Sequence, residues 1–293
     1  MLNKGITKPF KTYQEQLQIL ISRGLIVSDQ NQAAAILKQI NYYRFSAYSL
    51  TLRKDNTFYE GVTFENVLEL YNFDAALRRI VLAYCQIVET SFRSILAYYF
   101  SEKYGPLGYM DPVNFNNSNY HSSFISELEK EVDRSSDIFI EHHKREKNSV
   151  FPFWVVIEAS SFGLLSKFVK NMVVSDRNEL AKKYVGYSRQ YMENWLQTSV
   201  NFRNIAAHGG RFYNRELKAT PVFINAKRYP NISNTSVYAN FIALYNLLPS
   251  TESKQFLITE LSDCFNDYPF ALKDHLGFPA DWDSLLARKP QKK

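Results

Sequence analysis

Between residues 201 and 215 the chain reads NFRNIAAHGGRFYNR, its densest run of basic and polar groups. Arg203 and His208 stand within it, with Asn204 next to the arginine and Arg211 and Arg215 beyond two glycines. Arginine beside histidine is the set that RNA cleavage without a metal requires. The ribose 2′-hydroxyl must lose a proton as it attacks the adjacent phosphate, and the departing 5′-oxygen must gain one. Histidine donates or accepts a proton near neutral pH. Arginine keeps its charge and stabilises the negative charge that builds on the phosphoryl oxygens. This run supplies one histidine per chain, thin for two proton transfers, which suggests a second copy across a dimer. The plainer alternative makes Arg203 a structural ion-pair partner and His208 a helix-end histidine favoured by the dipole.

The elements that must hold these groups follow from periodicity. Residues 188–208 read as one helix that Gly209 and Gly210 end or bend. Met192, Trp195, Leu196, Ser199, Val200, Ala206 and Ala207 form its apolar arc, and Arg203 falls inside that arc, about 20° from Met192. A guanidinium there needs a carboxylate, a phosphate or another chain. Asn204 and His208 are four apart, so the amide is placed to orient the imidazole. Two carboxylates are candidates to support Arg203. Glu89 shares a face with Cys85 and Phe92, with Arg93 four residues on; Glu158 shares one with Trp154 and Phe162. Either serves equally as an internal ion pair that ties helices together.

Further elements complete a mainly α chain. Thr12 and Glu15 have capping-box spacing before a helix that Gly24 can end, and a second helix runs from Asp29 towards Ile40. Residues 50–62 read as strand, Asp55-Asn56 turn and strand. Two helices and a hairpin form either a winged-helix-like module or a plain helical lead-in. Thr63 caps a long helix that Gly105-Pro106 stops, with Val67, Leu70, Tyr71, Val81, Cys85, Val88, Phe92, Leu96 and Tyr99 on one face. Residues 105–121 read as loop, 122–147 as one charged amphipathic helix, and Phe151-Pro152 opens another helix. Beyond 221 come a short strand-like run, helices over 236–248 and 253–264, and loops. The expected division is an N-terminal module (1–62), a helical core (63–220) and an extension (221–293) with a basic tail.

Composition removes several classes. Lysine plus arginine is 35 against 29 acidic residues, a net charge of +6 that suits a polyanionic partner. Cys85 and Cys264 are too few for a disulfide framework or a cysteine-rich zinc site. The start MLNKGITKPF has no apolar leader, and 151–174 is interrupted by Glu158, Lys167 and Lys170, so a cytoplasmic protein without a membrane span is expected. The run EHHKRE at 141–146 lacks zinc-ligand spacing and reads as a solvated face. Tyr42, Tyr43, Phe45 and Tyr48 read as core rather than as a base-stacking platform. There is no P-loop, nucleophile elbow or dinucleotide fingerprint, and no cofactor or metal is called for. Between 203 and 228 Glu216 is the only acidic residue, so Arg211, Arg215, Lys218, Lys227 and Arg228 should create a positive field, with Arg44 a further RNA contact.

RNIAAH at 203–208 resembles the R-x4–6-H pattern of HEPN ribonucleases, including the polar residue after the arginine. Other stretches resemble the Abi-like (AbiD/AbiF) abortive-infection family of that superfamily: Thr12-Tyr13 with Arg23-Gly24-Leu25, INYYR at 40–44, the Glu89 to Arg93 step, 151–163, and HGGRFYNR at 208–215. The resemblance implies a HEPN-type helical bundle, dimeric, with two such motifs facing a shared cleft. It implies metal-independent RNA cleavage in phage defence or a toxin–antitoxin-like system, with Arg203 and His208 catalytic and Asn204 orienting. It also implies a small structured non-coding RNA as partner. A non-catalytic RNA-binding module and a DNA-binding regulator remain as alternatives.

Overall fold

The computed structural model describes residues 8–222, 229 and 231–288. Its first two helices begin where their caps are written. Thr12 caps α1 (Tyr13–Ser22) in a box with Glu15, and Asp29 caps α2 (Gln30–Gln39) through the Gln32 amide. Asn41 then starts α3 (Tyr42–Tyr48), a helix that the periodicity did not reveal. The expected hairpin is present but short. β1 (Arg53–Lys54) pairs antiparallel with β2 (Thr57–Phe58), Arg53 opposite Phe58. Asp55 and Asn56 supply the φ of 47° and 67° that a two-residue turn requires.

Helix α4 (Phe64–Tyr104) is the 41-residue axis of the fold, boxed at its start by Thr63 and Asn66 and ended by Gly105 at φ 76°. Its expected apolar face is buried throughout, apart from half-buried Tyr71. Phe45 of α3 stacks on Phe64 at 4.5 Å, and Leu17, Leu37 and Phe58 join the same hydrophobic cluster as α4. By length and composition α4 would also cross a membrane, yet here it is the core helix of a bundle.

After α4 the expectations need revision. Two 3-10 turns (Gly108–Met110 and Pro112–Asn114) occupy the anticipated loop, and α5 (Ser118–Arg134) starts early enough to bury His121, whose Nε2 lies 2.9 Å from the Tyr109 carbonyl. The charged helix expected over 122–147 is two helices, α5 and α6 (Ile138–Glu146). They part at Ser135, whose hydroxyl bonds both the Asp137 amide and the Asp137 carboxylate, local partners that compete with helical bonding. α7 (Phe153–Val156) passes through a 3-10 turn (Ile157–Ala159) to α8 (Phe162–Asn171), which Ser161 caps. α9 (Val174–Leu180) continues into a π turn (Ala181–Val185) closed by Gly186.

α10 (Arg189–Ala207) packs against α4, α8 and the almost wholly buried α11 (Val237–Leu247). α12 (Thr251–Asp267) covers α4 from another side, and α13 (Trp282–Ala287) closes on α12. The fold is therefore mainly α, as expected. The strand-like run anticipated after Pro221 falls largely outside the described residues, and so does the basic tail beyond Arg288.

Candidate functional site

The end of α10 is shaped by its two glycines. His208 is the C-cap, and Gly209 follows at φ 64°. The Gly210 amide donates to the Ile205 carbonyl at 2.7 Å and the Gly209 amide to Ala206 at 3.0 Å, the paired bonds of a Schellman stop. A Cβ on Gly210 would stand 2.8 Å from Ile205 Cγ2 and 3.0 Å from the Ile205 carbonyl, so any side chain there forces Ile205 or the turn to shift. His208 is thereby left exposed where the helix stops, and the chain turns sharply towards Arg211.

Arg203 is half-buried, one and a half turns earlier, on the side of α10 that meets α4. Its positive charge acts on Glu89 and Cys85 of α4. Its guanidinium donates through Nη1 to Asn204 Oδ1 at 3.2 Å. The carboxamide thus faces the arginine rather than orienting His208, which corrects the role anticipated for Asn204. The i, i+4 backbone bond from the His208 amide to the Asn204 carbonyl, 3.0 Å, is all that links those two residues among the described contacts.

Glu89 is 8% exposed and accepts from Arg93 Nη2 at 2.6 Å; the same nitrogen donates to the Ser160 carbonyl at 2.6 Å. Arg93 therefore fastens α4 to the turn between α7 and α8. Burial pushes the Glu89 carboxyl above its ordinary range, against the opposing charges of Arg93 and Arg203. Cys85 is fully buried, its thiol donating to the Ser199 carbonyl at 3.7 Å, and burial pushes its pKa up, which keeps it an inert thiol.

Glu158 departs from expectation. The helix that should have buried it stops at Val156, and in the 3-10 turn that follows Glu158 is exposed. It lines an open groove with Tyr98, Glu102 and Trp154, so its wheel position does not place it in the core or against Arg203.

Sequence reading missed Asp74, the most heavily bonded carboxylate near this loop. Asp74 is fully buried on α4. Oδ1 accepts from the Phe212 and Tyr213 amides at 3.0 and 2.8 Å, and Oδ2 accepts from the Tyr48 hydroxyl at 2.7 Å and from Arg78 Nη1. Burial pushes its pKa up, while those four donors pull it down. The signal was available: Asp74 lies about five full turns before Phe92, in the middle of the apolar face of α4. A carboxylate there demands buried donors.

The basic residues clasp this same loop. Arg44 Nη1 donates to the Gly209 carbonyl at 2.6 Å. Arg211 is half-buried, and its guanidinium donates to the Tyr213 carbonyl at 2.5 Å and the Asn214 carbonyl at 3.0 Å. Arg215 donates to the Arg211 carbonyl at 3.2 Å. Arg44, Arg215 and Lys218 remain exposed, whereas Lys227 and Arg228 lie outside the described residues. Phe45 and Tyr48 are core as expected, but Tyr43 is 65% exposed. Among the described residues no three His, Cys, Asp or Glu side chains are grouped to hold a metal.

A family model described as Abi-like protein matches residues 35–214, well over half of the chain, and spans α2 to the loop beyond α10. No curated protein and no solved structure matches. On the extent of that match, the chain belongs to the Abi-like protein family.

Proposed function

We propose that this chain is a HEPN-type endoribonuclease that cleaves RNA without a metal, with Arg203 and His208 as its catalytic pair. Family membership points to abortive infection, a phage-defence response. The observation that carries the nuclease reading is the end of α10. It presents His208 to solvent and keeps Arg203 half-buried, hydrogen-bonded to a neutral amide rather than bound to a carboxylate. An arginine neutralised by its own ion pair would have little charge to offer a phosphate.

In this reading His208 moves a proton to or from the ribose 2′-hydroxyl or the leaving 5′-oxygen. Arg203 stabilises the charge gathering on the phosphoryl oxygens, and Asn204 holds the guanidinium in place. Bond exchange at phosphorus then leaves a 2′,3′-cyclic phosphate and a free 5′-hydroxyl. The second proton transfer falls to His208 of a second copy in a two-fold dimer. Exposed Arg44, Arg215 and Lys218 beside the loop suit the phosphates of a small structured RNA that restrains or guides the enzyme.

The test incubates purified protein, freed of bound nucleic acid, with single-stranded RNA in EDTA. Cleavage to cyclic-phosphate ends is expected, and His208→Ala should reduce it by about 10²–10⁴-fold with RNA affinity nearly unchanged. Strict dependence on a divalent metal, or 3′-hydroxyl ends, would sink the mechanism. Tight RNA binding without cleavage would support a binding module instead, and preference for duplex DNA a regulator.

A further inference from the structure

The loop after His208 is held from two sides by groups distant in sequence. From α4, Asp74 takes the amides of Phe212 and Tyr213 at 3.0 and 2.8 Å. From α3, Arg44 takes the Gly209 carbonyl at 2.6 Å. Asp74 also accepts the hydroxyl of Tyr48, one helical turn along α3 from Arg44, and the guanidinium of Arg78. Every strong acceptor direction of this carboxylate is used, and none of it reaches solvent. Two of its four donors are backbone amides only four and five residues beyond His208. A displacement of Asp74 therefore moves backbone, not merely a side chain.

We propose that Asp74 is the positioning residue of this site: by gripping the Phe212 and Tyr213 amides it fixes the loop that leaves His208, the C-cap of α10, and so sets how that residue is presented. Tyr48 and Arg78 orient the Asp74 carboxylate, and Arg44 steadies the loop at Gly209. Asp74 touches no reacting atom. Its effect is on the placement of the imidazole, where misplacement by about 1 Å costs on the order of 10²-fold in rate. The inference rests on the reading of His208 as a catalytic group, but the grip on the loop has a readout of its own.

The experiment compares Asp74→Asn with Asp176→Asn in the full-length protein. Asp176 is also fully buried and bonded, to Lys103 Nζ and the Tyr104 hydroxyl, each at 2.7 Å, near the far end of α4. It serves as the purely structural control. Asp74→Asn should lower kcat about 10–100-fold with KM changed less than threefold, and should speed hydrogen exchange at Phe212 and Tyr213 while α10 stays protected. Asp176→Asn should lower the melting temperature and leave kcat per folded molecule unchanged. Should Asp74→Asn fail to fold, Tyr48→Phe removes one donor, keeps the ring, and should lower kcat by a smaller factor of about 3–10.

The proposal is overturned if the two Asn variants lose activity only in proportion to lost folded protein. It is overturned equally if the Phe212 and Tyr213 amides exchange at the wild-type rate in Asp74→Asn. If wild type itself cleaves no RNA, the nuclease reading fails, and amide exchange still decides whether Asp74 fixes this loop.

Discussion

Helix α4 carries two carboxylate–arginine pairs with the same i, i+4 spacing, Asp74 with Arg78 and Glu89 with Arg93. Asp74 is fully enclosed and takes four donors, two of them amides from the loop beyond α10. Glu89 keeps 8% exposure, accepts one close hydrogen bond, and feels Arg203 as an unpaired charge nearby. Its partner Arg93 has a buried Nε without a hydrogen bond. The same sequence spacing has thus produced a saturated anchor in one place and an under-satisfied one in the other. Saturation fixes backbone geometry, whereas a carboxylate that leaves Arg203 uncommitted leaves its charge available for the phosphate contact proposed above. Burial alone does not separate these roles; the count and origin of the donors does.

The largest effect expected is on stability. Asp74→Ala strands the Arg78 cation, the Tyr48 hydroxyl and two amides in the interior, and should cost about 3–5 kcal/mol in chemical denaturation. Glu89→Ala strands a guanidinium that still holds the Ser160 carbonyl and has 20% of its side chain exposed, so about 1–3 kcal/mol is expected. Equal losses from the two substitutions would erase the distinction.

An intermediate effect sharpens it. Gly210→Ala forces a methyl against Ile205 and should cost about 1–3 kcal/mol. Because Gly210 and Asp74 fix the same loop, Gly210→Ala combined with Asp74→Asn should be non-additive by about 0.5 kcal/mol or more. Combined with Glu89→Gln it should add within about 0.5 kcal/mol. Thermal or denaturant unfolding of the single and double variants decides it, and coupling to Glu89 instead of Asp74 would reverse the assignment.

Which parts of this arrangement were legible in the sequence follows from where the signals are local. Thr12, Asp29, Thr63 and the glycines 24, 105 and 209 mark helix ends through bonds to residues within one turn, and each boundary appears where they put it. The apolar face of α4 obeys a period that any wheel reveals. What failed was non-local or competitive. Glu158 was assigned to a helix face, but the helix ended two residues before it, after a single turn following Pro152. The 122–147 helix broke at a serine–aspartate pair whose side chains serve each other. Asn204 had two partners in reach, and the arginine beside it took the oxygen. Asp74 was visible as a misfit with Arg78 one turn on, but its other three donors come from 26, 138 and 139 residues away, separations on which periodicity is silent.

The smallest effect is a pH dependence, and its sign tests which force governs Glu89. Burial raises its pKa above the ordinary 4.5, and Arg93 and Arg203 oppose that rise. A carboxyl raised on folding binds its proton more tightly in the native state than in the unfolded one. Its contribution to stability is then fully present below the unfolded pKa and is lost as pH rises through the folded value. Glu89→Gln has no such titration. The stability of wild type relative to Glu89→Gln should therefore fall as the pH is raised above about 4.5, then level off, while every other carboxylate cancels in the difference. Replacing Arg203 by methionine removes one of the two opposing charges, so the fall should become larger and end at a higher pH. Urea unfolding of the four proteins, with and without Glu89→Gln in each background, measures both changes. A relative stability that rises with pH would mean that the arginines outweigh burial, and Glu89 would then be held charged by its ion pairs, unlike Asp74, whose carboxyl burial pushes up despite its four donors. An Arg203→Met background with an unaltered profile would place Arg203 outside the field of Glu89 and remove that carboxylate from the support of the arginine.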